Sequence, residues 1–87
     1  MKDLDIFQKI VDIVSFELNV YLDENVQITD LLRNHGVDSV VVMALIVYLE
    51  SEFQIELDRI YEINQDELTF LSLIQLIKEQ MITLQYN

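Results

Sequence analysis

The sequence of 87 residues contains no cysteine and no proline, and it has a single glycine. Without cysteine the chain can form neither a disulfide framework nor a thiolate metal site. The lack of proline and the near absence of glycine argue against an all-β protein, because the many tight turns of such a fold depend on these residues. We therefore expect long helices joined by polar loops.

Basic side chains are also scarce, since five Lys and Arg against sixteen Asp and Glu give a formal net charge of -11 at pH 7. Such a charge repels nucleic acids and anionic lipid surfaces, so we expect neither as a partner. Between residues 36 and 67 eight acids stand against one base, Arg59, a local net charge of -7. This half of the chain should attract proteins with basic surfaces.

The sequence also lacks a basic, apolar leader and any apolar run near the ~18 residues that a membrane span needs. A cytoplasmic location is the resulting expectation. The hydrophobic fraction of 52% is enough for one core in a chain of this length. We therefore expect residues 1–87 to form a single domain, and we expect it to be a monomer.

Apolar periodicity predicts a first helix over residues 4–19, with these side chains on one face: Leu4, Phe7, Ile10, Val11, Val14 and Leu18. A long ordered loop is expected from Tyr21 to Asp38, because periodicity fades there and polar residues intervene. Four apolar side chains should hold this loop against the core: Val26, Ile28, Leu31 and Leu32.

A second helix is predicted to begin at Ser39, with Asp38 as its N-cap, and to end near Phe53. Its inward face should carry Val42, Leu45, Ile46, Leu49 and Phe53. The β-branched run at residues 40–42 favours a strand, but the period and length of the segment outweigh it.

Two further helices are expected in the last third of the chain. Asp58 is a candidate cap for a short helix over residues 59–63, and Thr69 is a candidate cap for the last helix. The core face of that last helix should comprise Phe70, Leu73, Ile74, Ile77 and Met81. The sum is an all-α four-helix bundle of three principal helices and one short helix.

The segment 36–57, GVDSVVVMALIVYLESEFQIEL, resembles the acyl and peptidyl carrier protein family. That family opens its second helix with a Gly-x-Asp-Ser-Leu-like motif and ends it with a Leu-Glu-x-x-Phe-x-Ile-like pattern. The matching residues here are Gly36, Asp38, Ser39, Val40, Leu45, Leu49, Glu50, Phe53 and Ile55. The later stretch Leu68-Thr69-x-x-Ser72-Leu73 is similar to the family's entry into its last helix, so the resemblance spans most of the chain.

The resemblance implies an acyl-carrier-like fold and a specific chemistry. Ser39 would accept 4'-phosphopantetheine from coenzyme A, through a phosphopantetheinyl transferase that uses a divalent metal. The thiol of that arm, rather than any cysteine of the chain, would hold an acyl, aryl or aminoacyl group as a thioester. Asp38 would fix the start of the helix and Gly36 would allow the tight turn before it.

The implied partners are the transferase, an acyl- or aryl-loading enzyme of the adenylation or acyltransferase type, and a downstream synthase or condensing enzyme. We expect a partner-binding surface that includes Val40, Val41, Met43, Ala44, Glu50 and Glu62, with Val47 and Tyr48 as further apolar members of a docking patch.

The sequence departs from fatty-acid carriers at several positions. Such carriers commonly have acids in the first two turns of the second helix, where this chain has Val41 and Ala44. Asn34 and His35 also replace their usual Asp and Leu. The sequence is more similar to freestanding carriers of polyketide, nonribosomal-peptide or siderophore pathways, and a housekeeping fatty-acid carrier is the alternative.

Two other classes of protein compete with a carrier on sequence grounds. A serine hydrolase would use Ser39 with His35, but Val41 stands where a nucleophile elbow needs its second glycine, and the chain is short for that fold. We therefore expect no catalytic residue, and the lone histidine predicts no metal site. A helical adaptor that is never modified remains open on composition alone.

Overall fold

The computed structural model describes residues 2–85, without the side chains of residues 84 and 85. Its principal helices are α1 (Asp3–Asp12), α2 (Ser39–Phe53) and α3 (Phe70–Gln85). A π-helical turn (Ile13–Glu17) extends α1, and three 3₁₀ helices lie in the connections: Leu32–His35, Asp58–Glu62 and Gln65–Glu67. Within the described residues there is no β-strand, only an isolated bridge between Leu31 and Thr69. The predicted all-α fold is confirmed.

The first helix is shorter than predicted and ends differently. The 4–19 prediction covers α1 and the π-helical turn, in which the N–H of Leu18 donates to the carbonyl of Ile13, five residues earlier. Asn19 then adopts a left-handed backbone conformation with φ of 56°, which stops the helix. Asn tolerates this conformation better than most residues, so it can end a helix without glycine.

The core face of α1 is rotated relative to the prediction. Ile6, Ile10 and Val14 are fully buried, whereas Leu4 is 70% exposed, so placing Leu4 in the core was wrong. Residues 6, 10 and 14 are four apart and lie on one face of the helix. Phe7, beside them, meets the buried Phe70 edge to face at a centroid distance of 5.4 Å, and this contact packs α1 against α3.

The second helix follows the prediction closely. It spans Ser39–Phe53, and its inward face is buried at Val42, Leu45, Ile46 and Leu49, while Phe53 packs at the edge of the core. Gln54 ends the helix with φ of 56°. The strand propensity of residues 40–42 is overridden because the apolar period of this segment buries one side of a helix.

The third principal helix also begins where predicted. The hydroxyl of Thr69 accepts the N–H of Ser72 at 3.0 Å, which caps α3. Its core face is buried at Phe70, Leu73, Ile74 and Ile77, with Met81 packed at the margin.

The cap predicted for the short helix was wrong. Asp58 is the first residue of the 3₁₀ helix Asp58–Glu62, and the preceding Leu57 occupies the cap position with no side-chain hydrogen bond. The helix begins one residue earlier than predicted because Leu57 and Ile60, which are both buried, fix this segment to the core.

The loop between α1 and α2 is ordered, as expected, and its backbone is bonded to the start of α3. The N–H of Leu32 donates to the carbonyl of Leu68 at 3.0 Å, and the N–H of Leu71 donates to the carbonyl of Ile28 at 2.8 Å. Leu32 is buried, while Val26 and Ile28 pack against the core. These bonds fix the segment that leads to Ser39.

Candidate functional site

A left-handed turn at Gly36 delivers the chain to the start of α2. The preceding 3₁₀ helix ends at Gly36, which has φ of 81°. A Cβ atom there would lie 3.5 Å from a methyl group of Val20, an ordinary contact, so the backbone angle rather than space requires glycine. The N–H groups of Gly36 and Val37 donate to the carbonyls of Arg33 and Leu32, which closes the turn.

Asp38 caps α2, as predicted. Its Oδ1 accepts the N–H of Val41 at 3.0 Å, and its carbonyl accepts the N–H of Val42 at 2.8 Å. The extended backbone of Asp38, with ψ of -176°, changes to helical geometry at the next residue. The cap thereby fixes the residue at which the helix begins, and that residue is Ser39.

Ser39 is exposed at the first position of a 15-residue helix. The N–H groups of Ser39 and Val40, in the first turn, have no acceptor within the helix, and the helix dipole is positive at this end. The first turn of α2 contains no acidic residue. These N–H groups and the positive end of the dipole favour a phosphate ester on Ser39, against repulsion from the neighbouring Asp38 carboxylate, and the exposed position fits a covalent phosphodiester.

An apolar strip extends from Ser39 along the exposed side of α2, and we call it the α2 outer face. Val40 is 76% exposed and Val47 is 65% exposed, and Met43 and Tyr48 are also exposed on this helix. Positions 40, 43 and 47 are neighbours on one helical face. Ala44 and Val41 are half-buried, and Val41 packs against the core, so Val41 presents less surface than the other predicted members.

The two acids predicted for partner binding are both engaged by other groups of the domain. The Oε2 atom of Glu50 accepts the N–H of Leu57 at 2.9 Å, so this carboxylate joins the end of α2 to the following loop. Glu62 is exposed and lies 3.4 Å from Arg59 Nε, and Arg59 also pairs with Glu79 on α3. Glu50 follows Val47 by three residues and so borders the α2 outer face, but its carboxylate is occupied by the N–H of Leu57.

Asp30 and His35 form a polar pair that sequence reasoning did not identify. His35 Nε2 lies 2.9 Å from Asp30 Oδ2. The N–H of Gln27 donates to the same carboxylate, and this hydrogen bond, followed by that from His35, holds the pKa of Asp30 below its ordinary value. The available signal was the lone histidine of the chain, five residues after an aspartate and four before Ser39.

The structure bears on three other kinds of site: a metal centre, a catalytic pair with Ser39 and a membrane span. Within residues 2–85 no three His, Asp or Glu side chains group in a way that could hold a metal ion. His35 bonds to Asp30, and no hydrogen bond joins it to Ser39. Among the described helices, none has the length and apolar character needed to cross a membrane.

Comparison with known proteins agrees with this geometry. The family model described as the phosphopantetheine attachment site matches residues 8–65, which is more than half of the chain. No curated protein and no solved structure gives a significant match. Domains of this family carry a covalent 4'-phosphopantetheine on a serine and work with partner enzymes such as transferases and synthases. The matched segment includes the Gly36 turn, the Asp38 cap and all of α2, and the chain belongs to the phosphopantetheine attachment family.

Proposed function

We propose that Ser39 is the attachment serine, and that this chain carries an acyl, aryl or aminoacyl intermediate as a thioester and presents it to partner enzymes. The observation that carries the proposal is the exposure of Ser39 at the capped N-terminus of α2, inside the segment that the family model matches. The bound arm supplies a thiol, and its thioester is activated toward acyl transfer. The domain itself supplies attachment and presentation.

Attachment uses a hydroxyl that a transferase can reach. The Oγ atom of Ser39 would form the phosphoester bond as the pyrophosphate bond of coenzyme A breaks, adenosine 3',5'-bisphosphate would leave, and the serine proton would pass to a base of the transferase or to water. The N–H groups of the first turn of α2 favour the resulting phosphodiester through the helix dipole. Asp38 keeps this turn formed by bonding to Val41.

Intact-protein mass spectrometry tests the attachment. The chain is incubated with coenzyme A, Mg²⁺ and a broad-specificity phosphopantetheinyl transferase, and a gain of one phosphopantetheine group is expected. Ser39→Ala should abolish the gain. Ser51→Ala, which changes another exposed serine of the same helix, should leave it intact. A folded wild-type chain that gains no mass, or a gain that persists in Ser39→Ala, would contradict the proposal and favour an unmodified adaptor.

We also propose that partners dock on the α2 outer face through apolar contacts. Val40, Met43 and Val47 are exposed on the same helix as Ser39. The two acids of α2 bind other groups: Glu50 accepts the N–H of Leu57, and Glu52 pairs with Lys9. Burial of such apolar side chains removes them from water, which favours a complex. Acids in the second half of the domain, such as Glu62, would steer basic partners toward it over longer distances.

Transferase or loading-enzyme kinetics test this surface. Met43→Glu should raise the KM for the carrier by about tenfold, because a charge would be buried in an apolar interface. Gln75→Glu places the same charge on an exposed position of α3 and serves as the matched control. Equal KM values for the two variants would contradict docking on the α2 outer face.

For the pathway, we propose secondary metabolism of the polyketide, nonribosomal-peptide or siderophore kind. Support comes from the apolar first two turns of α2, which have Val41 and Ala44 where fatty-acid carriers commonly have acids. The holo chain is offered to aryl- and aminoacyl-adenylating enzymes, a polyketide acyltransferase and a fatty-acid malonyltransferase. We expect an adenylating enzyme or the polyketide acyltransferase to load the chain with a higher kcat/KM than the fatty-acid malonyltransferase does. Preferred loading by the fatty-acid enzyme would indicate the housekeeping alternative.

A further inference from the structure

His35, four residues before Ser39, makes a partly buried hydrogen bond to Asp30. His35 ends the 3₁₀ helix Leu32–His35, and its side chain is only 18% exposed. Its Nε2 donates to Asp30 Oδ2 at 2.9 Å, since an ionised carboxylate only accepts. The imidazole ring is also tilted against the ring of Phe70, with centroids 6.1 Å apart. The side chain thus lies between the loop and the start of α3.

Asp30 is itself fixed to the body of the domain. Its Oδ2 accepts the N–H of Gln27 at 2.9 Å, and its carbonyl accepts the N–H of Phe70 at 3.2 Å. Phe70 is fully buried and is the first residue of α3. The backbone of Asp30 is therefore bonded to the start of α3, and its carboxylate is bonded to the backbone of Gln27.

His35 connects Asp30 to the turn that leads to Ser39. After His35 the chain passes through the left-handed Gly36, the buried Val37 and the capping Asp38. The backbone bonds that close this turn, from Gly36 and Val37, are 3.3 and 3.2 Å long. The 2.9 Å bond from His35 to Asp30 is shorter than both, and it joins the turn to a residue whose carbonyl accepts the N–H of Phe70 at the start of α3.

We infer that the Asp30–His35 pair positions Ser39 for its modification, an inference that rests on the proposed function. His35 is a positioning residue because it bonds to Asp30 and not to Ser39. Loss of its hydrogen bond would leave the turn before Ser39 held by its backbone bonds and the buried Val37 alone, so the hydroxyl would sample a wider range of positions. Both the neutral Nε2–H tautomer and the imidazolium can donate this hydrogen bond, so the bond between His35 and Asp30 does not require a charged histidine.

Loss of the Asp30–His35 bond should affect partner binding and the transfer reaction differently. The α2 outer face, on which we propose that partners dock, includes neither Asp30 nor His35. Ground-state binding, and with it KM, should therefore be preserved when the pair is broken. The reaction depends on the exact placement of one oxygen, so kcat should fall.

Transferase kinetics with the carrier as the varied substrate test the inference. His35→Leu keeps an apolar contact with Phe70 but removes the donor, and kcat should fall roughly tenfold with KM within about twofold of wild type. Asp30→Asn retains an amide oxygen that can accept the hydrogen bond from His35, so its kcat should stay closer to the wild-type value. Asn34→Leu makes the same replacement at the exposed neighbouring residue and should change neither constant.

Amide NMR spectra of the same variants give a readout that does not depend on the transferase. His35→Leu should shift or broaden the signals of residues 36–39, and Asn34→Leu should not. Circular dichroism confirms that each variant is folded at the assay temperature. If His35→Leu does not fold, Asp30→Ala removes the same bond and leaves the contact between His35 and Phe70.

The inference is overturned if the folded His35→Leu variant keeps the wild-type kcat or if only its KM changes. It is also overturned if Asn34→Leu lowers kcat as much as His35→Leu does. Failure of the proposed function is a separate result, because the wild-type chain would then gain no group at Ser39. In that event the NMR comparison still decides whether the pair fixes the turn.

Discussion

Truncation of Leu49 tests the register of α2, and with it the placement of Ser39 at the helix start. Leu49 is 0% exposed at the centre of the inward face of α2. Leu49→Ala removes about three carbon groups at roughly 0.8 kcal/mol each. The remaining cavity adds to this loss, so the free energy of unfolding should fall by about 2–5 kcal/mol.

Urea titration followed by circular dichroism measures this loss. With a urea dependence of about 1 kcal/mol per molar for a domain of this size, the midpoint should fall by roughly 2 M or more. Val47→Ala, two residues away on the exposed side, should change stability by less than about 0.5 kcal/mol. Ile46→Val is a milder core change, expected to cost about 0.5–1.5 kcal/mol if Leu49→Ala leaves too little folded protein to titrate. Equal midpoints for Leu49→Ala and Val47→Ala would refute the register.

Three further predictions concern the residues around Ser39. Gly36→Ala should lower the free energy of unfolding by about 1–2 kcal/mol in the same titration, because alanine is strained at φ of 81° although a Cβ fits; no loss would show that the turn is not left-handed. Asp38→Ala should cost about 1 kcal/mol and Asp38→Asn much less, because Asn can still accept the N–H of Val41; equal losses would exclude capping. Asp30 has a lowered pKa when folded, so its stabilising contribution is present above the ordinary value of 3.8 and is lost as the pH falls through the folded pKa. The difference in urea midpoint between wild type and Asp30→Asn should therefore shrink in acid, and a constant difference would contradict the assigned cause.

The sequence predicts best those features that depend on neighbouring residues. The Asp38 cap reaches three residues along the chain to Val41, and the Thr69 cap reaches three residues to Ser72. Such contacts repeat in many proteins, and their residue types are characteristic. The core face of α2 was also predictable, because residues 42, 45, 46 and 49 follow the helical period without interruption.

The features that were missed depend on contacts between distant segments. Leu4 fits the apolar period of α1, yet α1 packs against Phe70 so that Ile6, which the prediction omitted, is buried and Leu4 is exposed. Glu50 looks like a surface acid in sequence, but the following loop folds back and donates the N–H of Leu57 to it. Local patterns contain no information about where a loop returns, so neither outcome could be read from periodicity.

The proposed attachment serine, Ser39, depends on both local and long-range contacts, which has a consequence for how partners would act. Ser39 and the α2 outer face belong to one rigid helix, and the rise of about 1.5 Å per residue puts Val47 roughly 12 Å from Ser39 along its axis. A partner that docks on this face therefore meets the serine at a fixed distance, whatever the cargo. We infer that the direction of the hydroxyl is set separately, by the turn that His35 bonds to Asp30. Docking and presentation can consequently be altered one at a time, by Met43→Glu for the first and His35→Leu for the second.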